Sequence, residues 1–131
     1  MRFFTAAFLA CVVLATTVSA KPPLREVKEI DDMVMVVAIA DEIRKSCDGI
    51  GARLMRAYST LNELKSLARD KGYTEDEVED YVTSKTEKQR MRAKAERFLA
   101  GNGVNAGDKT ALCSFGKRQM QSQTEIGRLL K

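Results

Sequence analysis

Cys47 and Cys113 are the two cysteines that remain once the apolar N-terminal segment is set aside, and they lie 66 positions apart. A pair of this kind in a small exported chain reads as one disulfide, because the compartment is oxidising and a short chain has little core to stabilise it. Only one pairing exists, so any fold must bring position 47 against position 113. A redox-active pair is the other use of two cysteines, but it normally sits close in sequence beside a helix start.

The export reading comes from the first twenty residues. Arg2 gives a positive start, Phe3 to Leu14 form an apolar run, and Val18-Ser19-Ala20 is a small-residue cleavage signal before Lys21. The segment is expected to be a signal peptide, since its apolar run is shorter than the roughly 20 residues of a membrane span. Cys11 comes too early for a lipoprotein box, with Val12-Val13-Leu14 continuing the apolar run behind it. The expected location is the periplasm, and the expected mature unit is a single helical domain over residues 21–131. Loss of residues 1–20 removes one basic residue, Arg2, and lowers the +4 charge of the whole chain by one.

The rest of the chain reads as all-α, a small bundle of about four helices. Leu24, Val27, Ile30, Val34 and Val37 follow helical spacing, giving a first helix from Leu24 to Cys47. Gly49 and Gly51 interrupt it. A second helix from Ile50 to Lys71 carries the cleanest apolar stripe, Ile50, Leu54, Ala57, Tyr58, Leu61, Leu64 and Ala68, with Gly72 as its cap. Thr74 and Glu77 form a capping box for a third helix that runs to about Leu99 through a polar middle, Thr83 to Arg90. After the turn-forming stretch from Gly101 to Gly107, Asp108 caps a fourth helix that reaches toward Lys131.

The residues argue against catalysis. The chain has no histidine, which removes the commonest general base and zinc ligand. Ser59, Ser66 and Ser114 therefore have no imidazole to activate them, and the neighbours Lys45-Ser46 and Ser84-Lys85 diverge on a helix. Glu75, Asp76, Glu77, Glu79 and Asp80 lack the spacing of a calcium loop and suit the positive end of a helix dipole. Met33, Met35, Met55, Met91 and Met120 follow no copper-binding motif and are read as core filler. No cofactor and no metal are expected.

Binding is better served. Lys85, Lys88, Arg90, Arg92, Lys94 and Arg97 make the densest basic stretch, suited to an acidic protein surface or to anionic lipid headgroups. It lacks the interleaved aromatics of a nucleic-acid groove, so nucleic acid is not an expected partner. Gln119, Gln121 and Gln123 offer a second polar contact surface.

The start Pro22-Pro23-Leu24-Arg25-Glu26, the lone Cys47, Ala111-Leu112-Cys113-Ser114-Phe115-Gly116 and the ending Thr124-Glu125-Ile126-Gly127-Arg128-Leu129-Leu130 form a pattern. It resembles a family of small exported proteins of unknown function from Rhodobacter-like alphaproteobacteria. The resemblance implies genes placed among those of the respiratory NADH:quinone oxidoreductase, and so a protein partner in the envelope. The function expected is a non-catalytic interaction, accessory or assembly factor of an envelope complex. The alternative is a periplasmic stress holdase or small-ligand-binding protein.

Overall fold

The computed structural model describes residues 20–131. The expected signal peptide, up to residue 19, and Cys11 lie outside that range. A 3-10 turn, Leu24–Glu26, leads into α1, Lys28–Ser46. Then follow α2, Leu54–Asp70; α3, Glu75–Thr83; α4, Lys85–Gly101; α5, Lys109–Ser122; and the one-turn α6, Glu125–Arg128. The class is all-α, with one isolated bridge between Ala52 and Leu130.

The first expected helix starts at Lys28 and not at Leu24, because extended Val27 (φ −83°, ψ 92°) separates the 3-10 turn from α1. Two of the four expected helices are divided further along. The third breaks at Ser84, whose extended backbone (φ −56°, ψ 130°) ends α3 while its hydroxyl accepts from Glu87 N to start α4. The fourth breaks at Gln123, which is left-handed at φ 51°. The next residue, Thr124, caps α6 by accepting from Gly127 N at 3.1 Å. In both places a hydroxyl residue that periodicity absorbs into a long helix serves as an N-cap instead.

The second helix begins four residues later than expected, and for a specific reason. Gly51 N and Lys131 N exchange bonds with each other's carbonyls at 2.7 and 2.9 Å, and Arg53 N donates to Leu129 O at 2.8 Å. The pairing holds residues 51–53 extended, and Gly51 O, which a helix from Ile50 would offer to Met55 N, accepts from Lys131 N instead, so α2 opens at Leu54.

The core has two parts. The larger joins the C-terminal half of α1 (Met35, Ile39, Ile43) to Met91 and Leu99 of α4, Leu112 and Phe115 of α5, and Ile126, Leu129 and Leu130 at the C-terminus. The smaller joins Leu24 and Ile30 to Leu64 and Ala68 of α2 and to Tyr73, Val78 and Tyr81. Cys47 and Cys113 form the expected disulfide, with Cα atoms 5.5 Å apart, and tie the end of α1 to the start of α5. Beside it Gly116 permits close approach, since a Cβ there would lie 2.7 Å from Ile43 Cγ2.

The leader is tied down as well. Lys21 Nζ donates to Gly72 O at 2.8 Å and to Glu77 Oε2 at 2.7 Å, and sits over the Tyr73 ring. The Tyr73 hydroxyl donates to Pro22 O. The capping box is present, with Thr74 N donating to Glu77 Oε2 at 2.7 Å.

Candidate functional site

The six basic residues of the α4 segment separate into two sets. Arg90 and Lys94 stand one turn apart and both point at α1. Lys94 Nζ donates to Asp31 Oδ2 and to Asp32 Oδ1, each at 2.6 Å, and Arg90 donates to both Asp31 oxygens. Asp31 is only 4% exposed and also accepts from the Tyr81 hydroxyl at 2.5 Å. Glu87, which interrupts the basic run in sequence, is buried and pairs with Arg90 and Arg25. These side chains lock α1, α3 and α4 together. Lys85, Lys88, Arg92 and Arg97 are exposed and make no ion pair among the described residues.

Burial alone would raise the Asp31 carboxyl, but hydrogen bonds from Arg90, Lys94 and Tyr81 outweigh it and hold the group at about 2. Burial and the bond to Asp31 raise the Tyr81 hydroxyl, so it stays protonated and donates. A folded value below the unfolded one stabilises the protein above the unfolded value, near 4, and that contribution disappears as pH falls toward 2. Asp31→Asn is therefore expected to cost about 2 kcal/mol at pH 7 and little near pH 2. Urea unfolding at the two pH values measures it, and an equal loss at both would contradict the assignment.

Two of the second set, Lys88 and Arg92, border an open groove. Val34, Val37 and Ala38 of α1 form its floor, Leu54, Ala57 and Leu61 of α2 one wall, and Met91 and Ala95 of α4 the other. The cavity is about 930 Å³, and Lys88 and Arg92 stand on its α4 rim. Its lining also carries Glu42 and Glu96, Asp41 paired with Arg44 and Lys45, and Tyr81 and Glu87 of the ion network.

The groove exists because α2 meets the core with only one of its ends. Leu64 and Ala68 are buried, but Leu54, Met55, Tyr58 and Leu61 are 75, 82, 64 and 42% exposed. The stripe that reads as core in the sequence is core only at its C-terminal end. Its other half, started at Leu54 by the pairing of residues 51–53 with the C-terminus, forms a wall with one bare side.

A second, shallower depression of about 790 Å³ lies between α1, α4 and α6, where Arg97 and Phe98 meet Lys28, Asp32 and Lys94. Its charges are largely satisfied by one another, through Lys28 and Lys94 on Asp32. Lys85 borders neither cavity. Gln121 and Gln123 are exposed, while Gln119 is half-buried, its side chain accepting from the Thr124 hydroxyl at 2.7 Å.

Among the described residues no group of histidine, cysteine, aspartate or glutamate is placed to hold a metal ion. No described helix is long and apolar enough to cross a membrane. The chemistry this arrangement offers is apolar burial with charged flanks.

No curated protein and no solved structure matches the chain. Residues 22–131 match the model of a family of unknown function, DUF5333, and the chain belongs to that family.

Proposed function

We propose that this protein is a non-catalytic, exported interaction factor that holds an amphipathic helix of a protein partner in the groove between α2 and α4. The observation that carries the reading is the bare apolar side of α2 standing over an apolar floor. A surface of that kind is expensive to leave in water and marks an interaction site. The wall from Leu54 to Leu64 is about 15 Å long at 1.5 Å per residue, enough for roughly three turns of an added helix. Lys88 and Arg92 favour a helix whose flank on the α4 side is acidic.

An accessory or assembly role in an envelope complex fits these features. The disulfide suits an oxidising compartment, and a groove that takes a helix suits a protein that works by holding a subunit. The implied neighbourhood of the respiratory quinone oxidoreductase makes that complex the first to search.

The test is capture of the protein from gently solubilised membranes and periplasm of its source, with bound proteins identified by mass spectrometry. A stoichiometric partner is expected. The double reversal Lys88→Glu with Arg92→Glu is expected to reduce its recovery about tenfold without changing the helical spectrum. Arg90→Glu instead places a second carboxylate against buried Asp31 and is expected to destabilise the fold itself. Recovery of the chain with no other protein would overturn the proposal.

A further inference from the structure

The groove leaves part of the bare arc of α2 unused. Met55 and Tyr58, 82 and 64% exposed, lie outside the groove lining, and Leu54 stands on its edge. At roughly 200 Å² for a large side chain, these three leave about 400 Å² of apolar surface in water. All three fall in the first two turns of α2, at the end of the molecule where residues 51–53 pair with residues 129–131.

That end is also cationic. Residues 49–62 contain Arg53 and Arg56 and no acidic side chain. Residues 126–131, bonded to them through Gly51 and Arg53, contain Arg128 and Lys131 and again no acidic side chain. All four cations are exposed, and none forms an ion pair among the described residues. The acids that flank the two segments in sequence are Asp48, Glu63 and Glu125; the first pairs with Lys109 and the second accepts from Ser59. The neighbouring end of α1 is balanced, with Asp41 and Glu42 against Arg44 and Lys45.

We propose that this end of the molecule docks on the surface of an anionic lipid bilayer, with Leu54, Met55 and Tyr58 entering the headgroup boundary and Arg53, Arg56, Arg128 and Lys131 meeting lipid phosphates. Long cationic side chains reach the phosphates while their apolar neighbours go deeper. A tyrosine suits that depth, its ring in the boundary and its hydroxyl among the headgroups. The bare area is about half of the roughly 800 Å² per partner of a standard protein interface, whereas a bilayer needs no matched shape. Charge also selects which end docks. Past the other end of α2, about 25 Å away at 1.5 Å per residue, α3 carries Glu75, Asp76, Glu77, Glu79 and Asp80, which an anionic surface repels. The proposal does not rest on the partner reading, since Met55, Tyr58 and the four cations do not line the groove.

The experiment is sedimentation with vesicles of phosphatidylcholine, with and without about 30% phosphatidylglycerol, using the protein expressed with its own leader and purified under non-reducing conditions. Binding to the anionic vesicles is expected to be at least about tenfold tighter than to the neutral ones and to weaken in high salt. Arg56→Gln with Lys131→Gln is expected to weaken it roughly thirtyfold, and Met55→Ser with Tyr58→Ser about tenfold, each with an unchanged helical spectrum. Lys85→Gln with Lys117→Gln removes the same charge from exposed positions on α4 and α5 and is expected to leave binding within about twofold. The chain has no tryptophan, so Met55→Trp supplies a single indole, whose emission is expected to move to shorter wavelength on the anionic vesicles. Wild type that ignores the anionic vesicles would overturn the proposal, and binding of polyglutamate in their place would assign this end to an acidic protein. Equal losses from the two charge-removing pairs, or an indole emission that stays put, would overturn it too. Capture of a partner by the groove is read separately and decides nothing here.

Discussion

Gly127→Ala is expected to lower stability by about 3 kcal/mol, a fall of roughly 10–20 °C in the unfolding midpoint. A Cβ on Gly127 would lie 1.9 Å from Gln119 O and 2.3 Å from its carbonyl carbon, and both are backbone atoms that no rotamer change can move. The one-turn α6 must therefore lift off α5. It carries Ile126 and leads to Leu129 and Leu130, all buried in the larger core, and the same segment pairs with residues 51–53 to set the start of α2. The loss thus extends from a packing contact to the wall of the groove. Gly101→Ala is the control, because a Cβ there meets nothing within 4 Å at the end of α4. Thermal unfolding followed by circular dichroism separates the two. A Gly127→Ala midpoint within a degree or two of wild type would contradict the packing described for α6.

The disulfide sets the second large effect. Replacing both Cys47 and Cys113 with serine is expected to cost about 4 kcal/mol, the chain-entropy value for a closed loop of this length. The link joins the end of α1 to the first turns of α5, where the exposed Lys109–Asp48 ion pair stands beside it. Of the roughly 5–15 kcal/mol usual for a domain, a loss of that size leaves about 1–11 kcal/mol, and at the lower end about one chain in seven is unfolded. Urea unfolding of wild type with and without reductant measures it without mutation, and the double serine variant should agree with the reduced protein. A shift below about 1 kcal/mol would place the constraint elsewhere and leave the bond without a stabilising role.

Much of the fold is legible in the sequence, and the failures have physical causes. The capping box at Thr74 and Glu77 is a local pairing of side chain and backbone, so it needs no tertiary information and appears as read. The same holds for Asp108, which accepts from Ala111 N at 3.0 Å to start α5. The breaks at Ser84 and Gln123 were not legible, because hydroxyl and amide residues are tolerated in helices and only the packing of the following segment decides that they end one.

The site shows the sharper lesson. Periodicity reveals which face of α2 is apolar, not whether anything covers it, and so Leu54, Tyr58 and Leu61 read as core although they stand open. Likewise the basic density of α4 reads as one surface, whereas Arg90 and Lys94 are neutralised from α1. The signal for that was Asp31, an acid set between Ile30 and Val34 on an apolar face, with Arg90 and Lys94 at matching i, i+4 spacing. An acid in such a place needs a cationic partner from another element.

On the proposed reading, the groove between α2 and α4 takes a helix from another polypeptide. The most direct measurement places a photo-reactive amino acid at position 57, half-buried on the α2 wall, and irradiates intact cells of the source. A covalent adduct with a second polypeptide is expected, lost when Leu61→Glu is added, with no adduct from a reactive residue at exposed Asp76 on α3. Irradiation that yields only the uncrosslinked chain from position 57, with the fold intact, would contradict it.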